Sequence, residues 1–344
     1  MLTRRGMLAV GAAALMPCGR GPAAQGPAAR DSTARDSTTQ GGATLRLGLL
    51  PFGTVSWEAA VIRERGLDAA QGFTLEGVRL AGSDAARIAF QGGQADLIVS
   101  DLLWAARLRA EGRPVRFLPY STSEGALMVP GGSPLGTVAD LAGKRLGVAG
   151  GALDKNWLLL KARAREADGI DLDRDARPAF GAPPLLMQKL EAGELDAALL
   201  YWTFCARLEA RGFRRLTSAD AIARGFGVAG PVALLGYVFD DAVRVQRGGV
   251  LTAFTRASRG AKAALADDES AWAVVRPLMA AEDEPTCAAL RREFLDGIPR
   301  RPVAEEEQDA GRLIAVLARL GGERLLGAAT TLPDGLYWDP DRHG

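Results

Sequence analysis

The chain has almost no histidine. Among its 344 residues there is one, His343, the second-to-last. A Ser-His-Asp or Cys-His site, a His-ligated zinc and a histidine general base all need an imidazole in a folded site, so most common hydrolase chemistry is excluded. Cysteine is scarce too: Cys18, Cys205 and Cys287 show no C-x-x-C spacing and no disulfide framework. Cys205 and Cys287 lie in apolar-periodic stretches and read as buried, inert thiols. An excess of one charge is also missing, with 42 basic against 41 acidic residues and a net charge of +1. Without clustered Lys and Arg there is no electrostatic footprint for nucleic acid. No stretch of the body approaches the roughly 20 apolar residues a membrane span needs. What remains is enough for about two domains, each with its own core.

Residues 1–18 read as an export signal. Thr3-Arg4-Arg5-Gly6-Met7-Leu8 is a charged start, and the apolar run from Met7 to Leu15 is too short to span a bilayer. The arginine pair fits a twin-arginine signal, and a general export signal fits as well. Cleavage before Cys18 would make a lipoprotein tethered through that cysteine; cleavage within Gly21-Pro22-Ala23-Ala24 would free the chain. Residues 19–43 are rich in Gly, Pro, Ala, Ser and Thr and repeat Ala-Arg-Asp-Ser-Thr in tandem, at Ala29 and again at Ala34. Such a segment buries too little apolar surface to offset its chain entropy, and it is expected to be a disordered tether.

The body repeats itself. Arg46-Leu47-Gly48 lines up with Arg145-Leu146-Gly147, and Gly92-Gly93-Gln94-Ala95-Asp96 lines up with Ala192-Gly193-Glu194-Leu195-Asp196 about a hundred residues on. Each copy reads as a short apolar strand, a Gly-containing loop, a helix, then a second helix that stops at Gly before an Asp opening another buried strand. Alternation of this kind indicates βαβ units with mostly parallel sheets. The expected fold class is therefore α/β with two similar lobes. Strands are expected near 45–50, 74–80, 96–100 and 115–120 in lobe one (44–124), and near 126–129, 145–149, 177–180 and 196–200 in lobe two (125–228). A strand near 232–239 starts a return to lobe one (229–332), with C-terminal helices packed on that lobe, and 333–344 reads as a tail.

Ligands of open α/β sheets bind beyond the carboxyl ends of the strands, where helix N-termini present unpaired N–H groups. Position alone therefore nominates Phe52 and Trp57 after the first strand, Ser83 and Asp84 at a helix start, and Ser100 and Asp101 at a strand end. In lobe two it nominates Asp154, Asn156 and Trp157, then Tyr201 and Trp202; the crossing segment adds Ser121 and Thr122. Helix capping accounts equally for Ser83 and Asp154. A rim tryptophan is a usual wall for an organic ligand, whereas Trp104, one turn into an amphipathic helix, reads as core. Asp96 and Asp196 read as structural contacts at strand entries. Asp84, Asp101, Glu124 and Asp154 bring several carboxylates toward one cleft, where they could hold a cation or a cationic ligand. No metal or cofactor motif is complete: Gly143-Lys144-Arg145 lacks the rest of a phosphate loop, and no G-x-G-x-x-G follows a strand.

Leu45–Pro51, Ala81-Gly82-Ser83, Gln91–Asp96, the run Ala139-Asp140-Leu141-Ala142-Gly143-Lys144-Arg145-Leu146-Gly147-Val148 and Leu190–Leu199 together resemble the periplasmic substrate-binding proteins of ABC importers, in their nitrate/taurine/sulfonate branch. The resemblance covers about residues 44–330. It implies a type II periplasmic-binding-protein-like fold with a central cleft, a small organic or anionic solute clamped between hinged lobes, a membrane permease as partner, and a monomer in the periplasm without a cofactor. Gly151–Trp157 and Tyr201-Trp202 depart from the small, Ser-rich loops of many relatives, which argues against nitrate or a simple sulfonate. Two other readings fit the same residues: a tethered metal-binding or sensory protein using the carboxylates, and an enzyme on this fold, for which Cys205 is the one thiol near the cleft loops.

Overall fold

The structure, a computed structural model, describes residues 43–339 apart from 52, 247 and 248. The export signal, Cys18, all but the last residue of the tether, Phe52 and His343 lie outside the described residues.

Ten strands are described: β1 (Ala43–Leu49), β2 (Phe73–Arg79), β3 (Leu97–Asp101), β4 (Val115–Ser121), β5 (Gly125–Val129), β6 (Arg145–Ala149), β7 (Arg177–Gly181), β8 (Ala197–Tyr201), β9 (Arg214–Ser218) and β10 (Leu235–Asp240). They form two five-stranded sheets, ordered β2-β1-β3-β10-β4 and β7-β6-β8-β5-β9. The orders are equivalent. In each, a central strand pairs in parallel with the next two of its lobe, and one antiparallel strand is inserted: β10 between β3 and β4, β5 between β8 and β9. The chain leaves lobe one between β4 and β5 and returns between β9 and β10, so each inserted strand directly follows a crossing. β9 was not expected; Arg-Arg-Leu-Thr-Ser has no apolar run, and only its pairing with β5 makes it a strand.

The repeated Arg and Asp have a common cause. Asp96 accepts from the backbone N–H of Arg46 at 2.8 Å and pairs with its guanidinium at 2.8 Å. Asp196 does the same to Arg145, at 2.7 Å for both contacts. Each carboxylate sits just before the strand that pairs with its partner's strand, and the pairs Leu47–Leu97 and Leu146–Ala197 occupy matching positions. The clasp sets register at the amino ends of the strands, away from the ends where a ligand would bind.

The C-terminal helices pack on lobe one, but not on it alone. Val250–Asp267 and Trp272–Met279 lie against the lobe-one helix Val55–Glu64, while Glu284–Asp296 packs on the lobe-two helix Trp202–Ala210. Val303–Leu326 touches the helix Leu102–Ala110 of lobe one and Lys155–Asp168 of lobe two. These helices also hold both crossings. The outgoing one is fixed where Thr122 N–H donates to Gly297 O at 2.8 Å and Ser123 Oγ donates to Glu293 O at 2.9 Å. On the return, Asp309 accepts from the N–H groups of Ala229 and Gly230 at 3.1 and 3.2 Å, and Glu306 accepts from Ala233 N–H at 3.2 Å. The stretch read as a tail is likewise docked: Leu336, Tyr337 and Trp338 are buried, and Phe117 in β4 exchanges backbone hydrogen bonds with Leu336 and Trp338. That covers the open edge of β4, which an unpaired tail would leave exposed.

Gly125 opens β5 at φ +140°, where a Cβ would stand 2.1 Å from Leu200 O. Gly125→Ala is expected to cost about 3 kcal/mol or more in urea denaturation, while Gly132→Ala, with nothing within 4 Å of the added atom, shifts stability by less than about 1 kcal/mol. Glu306 supplies a second check. Burial raises its carboxyl to about 7, against the lowering effects of Ala233 N–H and Arg301. Folding therefore takes up a proton between the ordinary carboxylate value near 4.3 and about 7, and the stability this confers at low pH is lost as pH rises through 7. Glu306→Gln, which keeps the acceptor for Ala233, is expected to gain on the wild type by on the order of 2 kcal/mol between pH 5 and pH 8, read from parallel urea titrations.

Candidate functional site

A cleft of about 710 Å³ lies between the two sheets. Its walls are the carboxyl ends of β1, β3, β6 and β8 and the first turns of the helices that follow them. Of the residues nominated by position, it brings together Ser83, Ser100, Asp101, Asp154, Tyr201 and Trp202.

The others lie elsewhere. Trp57 is 4% exposed and packs edge-to-face with Trp202 at 6.2 Å, with Trp272 at 6.3 Å, and against Phe294 at 5.4 Å. It belongs to an apolar joint beneath the cleft, because a helix start that faces a ligand with its backbone can still turn an aromatic side chain into the core. Trp157 is fully buried beside Phe180, and Asn156 is buried next to it, outside the cleft lining. Asp84 is exposed on the outer face of its helix. Ser121 and Thr122 serve the crossing: Ser121 Oγ accepts from Ser123 N–H at 3.1 Å, and Thr122 bonds to Gly297 O. Trp104, expected in the core, is instead half-buried on the cleft wall, with the Arg87 guanidinium 5.2 Å from its ring centre. Cys205 is fully buried, its thiol pushed up to about 12 chiefly by desolvation. Cys287, by contrast, is only partly buried and lines a groove between the helices Trp272–Met279 and Glu284–Asp296.

Two capping carboxylates order the site. Asp154 accepts from the N–H groups of Asn156 and Trp157 at 2.9 and 3.2 Å, as its place before an apolar-periodic helix predicts. Asp101 caps its own helix by accepting from Trp104 N–H at 2.9 Å and takes Arg87 Nη2 at 2.6 Å with its other oxygen. Ser83 is the first residue of its helix, and its side chain makes no cap.

Charged side chains complete the lining, and the positional reading missed its bases. Three are basic (Arg87, Arg107 and Lys155) and three acidic (Asp101, Glu124 and Asp154). Each base has a carboxylate partner: Arg87 with Asp101, Lys155 with Glu124 at 2.8 Å, and Arg107 with Glu111 at 2.9 Å. Desolvation works to discharge Lys155, but Glu124, Asp154 and Asp101 outweigh it and hold the ammonium above its ordinary range. Burial raises Glu124 and Asp154, against the pull of Lys155. Tyr201 is raised by burial and by Asp154, and is held as a neutral hydroxyl. Thr54 Oγ1 and Tyr120 Oη, 3.1 Å apart, add a polar corner on the lobe-one side. Arg87 stands one turn after Ser83 on the same helix face, a spacing that could have nominated it. The Lys155–Glu124 pair depends on how the crossing meets lobe two and has no local signal.

The sheet order, with one antiparallel strand inserted per sheet and the cleft between the lobes, defines a type II periplasmic-binding-protein-like fold. Solved structures share it. The alkanesulfonate-binding protein SsuA from Xanthomonas axonopodis pv. citri, bound to MOPS, is 20% identical, with a TM-score of 0.61 over 87% of this chain and 99% of that one. The periplasmic aliphatic sulphonate binding protein SsuA from Escherichia coli is 19% identical, with a TM-score of 0.64 over 86% and 92%. The desulfurization enzyme DszB is 16% identical, with a TM-score of 0.58 over 86% and 97%. No family model and no curated relative matches the chain. Among the described residues no helix is long and apolar enough to cross a membrane, and no group of three His, Cys, Asp or Glu side chains could hold a metal ion.

The two tryptophans separate core from wall. Trp57→Ala is expected to cost about 3–5 kcal/mol, and Trp104→Ala about 1 kcal/mol, measured by urea denaturation of the same preparation.

Proposed function

We propose that the chain is an extracytoplasmic solute-binding protein, which captures a small organic molecule between its lobes and delivers it to an ABC permease. The observation that carries this reading is the cleft: strand ends and helix N-termini of both lobes converge on one tryptophan-walled space of about 710 Å³, lined by polar and apolar side chains, a volume suited to a small organic ligand. Closure is a hinge about the two crossings, driven by contacts the ligand makes to both lobes at once. The sulfonate-binding neighbours support a solute-binding role. The arginine pair and short apolar run at the N-terminus, read as an export signal, support a periplasmic location, tethered if Cys18 is lipidated.

The DszB neighbours favour a second reading, an enzyme on this fold. Cys205 gives it little support, since its thiol is buried and hydrogen-bonded to Leu200 O at 3.3 Å rather than facing the cleft.

Protein extracted natively and then denatured is expected to release one small molecule per chain, identified by mass spectrometry. Refolded protein given that molecule at a hundredfold over its Kd should gain about 2.7 kcal/mol, several degrees in Tm. Turnover of a substrate without any stabilising ligand would overturn the reading.

A further inference from the structure

Cys287 takes no part in the cleft. It stands on the helix Glu284–Asp296 and meets Met279, the last residue of the helix Trp272–Met279. Its Sγ donates to Met279 Sδ at 3.6 Å, so two sulfurs from different helices come together. Both residues line an open groove of about 610 Å³. The other described thiol, Cys205, is fully buried against the carbonyl oxygens of Ala126 and Leu200.

Both sulfurs sit on held backbone. Arg207 donates to Met279 O at 2.9 Å and to Ala280 O at 3.1 Å, which pins the end of the first helix. Asp283 caps the second, accepting from Thr286 N–H at 2.8 Å one residue before Cys287. Donors on rigid elements are placed for a ligand before it arrives. A thiolate and a thioether are soft ligands, which select Cu(I) and similar ions over hard cations. With metal–sulfur bonds of about 2.3 Å, sulfurs 3.6 Å apart subtend about 100°, a bent pair that leaves room for a third small ligand.

Charge fixes the valence. In the groove Arg276 pairs with Glu284, and Arg291 with Glu269. Arg292 shares Glu209 with Arg215, and Arg215 also takes Glu293. Counted with those partners, the surround is neutral. A monovalent ion that replaces the thiol proton, which passes to water, adds no net charge; a divalent ion would leave one uncompensated. Among the described residues no trio of His, Cys, Asp or Glu offers a harder ion a site.

We propose that Cys287 and Met279 form a binding site for a soft monovalent cation, Cu(I) or Ag(I), separate from the solute cleft and independent of its occupant.

Anaerobic titration of the mature protein with Cu(I) against a chromophoric Cu(I) chelator tests this. The wild type is expected to take up one more Cu(I) per chain than Cys287→Ser, and Cys205→Ser to match the wild type. Met279→Leu, a volume-conserving change, should weaken that site about tenfold or more. X-ray absorption of wild type loaded with one equivalent of Cu(I) is expected to show at least two sulfur neighbours, and it needs no variant to fold. Equal uptake by wild type and Cys287→Ser overturns the site. So does Met279→Leu protein that holds Cu(I) as tightly as the wild type, or a single sulfur in the absorption spectrum, since either leaves only an accessible thiol. Displacement of the bound Cu(I) by equimolar Zn(II) overturns the assignment to a soft monovalent ion.

Discussion

The chain passes between its sheets twice, and backbone that leaves a sheet loses its ladder partners. Buried N–H and C=O groups must find others or cost about as much as a lost hydrogen bond. Here most of the replacements come from the C-terminal third, Ser123 N–H to Ser121 Oγ being local. Gly297 O and Glu293 O, at the end of one helix, hold the outgoing strand, and Glu306 and Asp309, on the first turns of the next, hold the returning one. Asp309 can sit buried because Arg301 pairs with it at 2.8 Å. The same helices reach both lobes, so the brace on the crossings also sets how the lobes meet.

Beneath the cleft that meeting is apolar. Trp57 from lobe one, Trp202 from lobe two, and Trp272 and Phe294 from the C-terminal helices form a joint with several edge-to-face contacts. Dispersion and area burial are weakly directional, so such a joint can hold lobes together without fixing their angle by specific hydrogen bonds. Above it the cleft mixes apolar side chains with three basic and three acidic ones. Trp202 belongs to both regions, lining the cleft while packing on Trp57.

Much of this was legible in the residues. Short apolar runs of four to eight residues mark buried parallel strands, and the repeat at Arg46/Asp96 and Arg145/Asp196 marked two equivalent units, because the same clasp recurs at the same place in each. Rim positions followed from the strand ends, which is why Ser100, Asp101, Asp154 and Tyr201 do line the cleft. The side chains were harder. Trp57, Trp157 and Asn156 share loops with lining residues yet point into the core, and Trp104 was read inward but forms a wall.

The difference is one of range. Periodicity, caps and the duplicated clasp are local, acting over a few residues or between identical copies, and they sufficed for the lobes, the crossings and the rims of the cleft. Which rim side chain faces the cleft depends on neighbours far along the chain. Lys155 meets Glu124 at the outgoing crossing, Arg87 meets Asp101 from another helix, and Trp57 turns inward because Trp272 and Phe294 are there to receive it. Those partners are assembled by folding, and no spacing in the chain announces them.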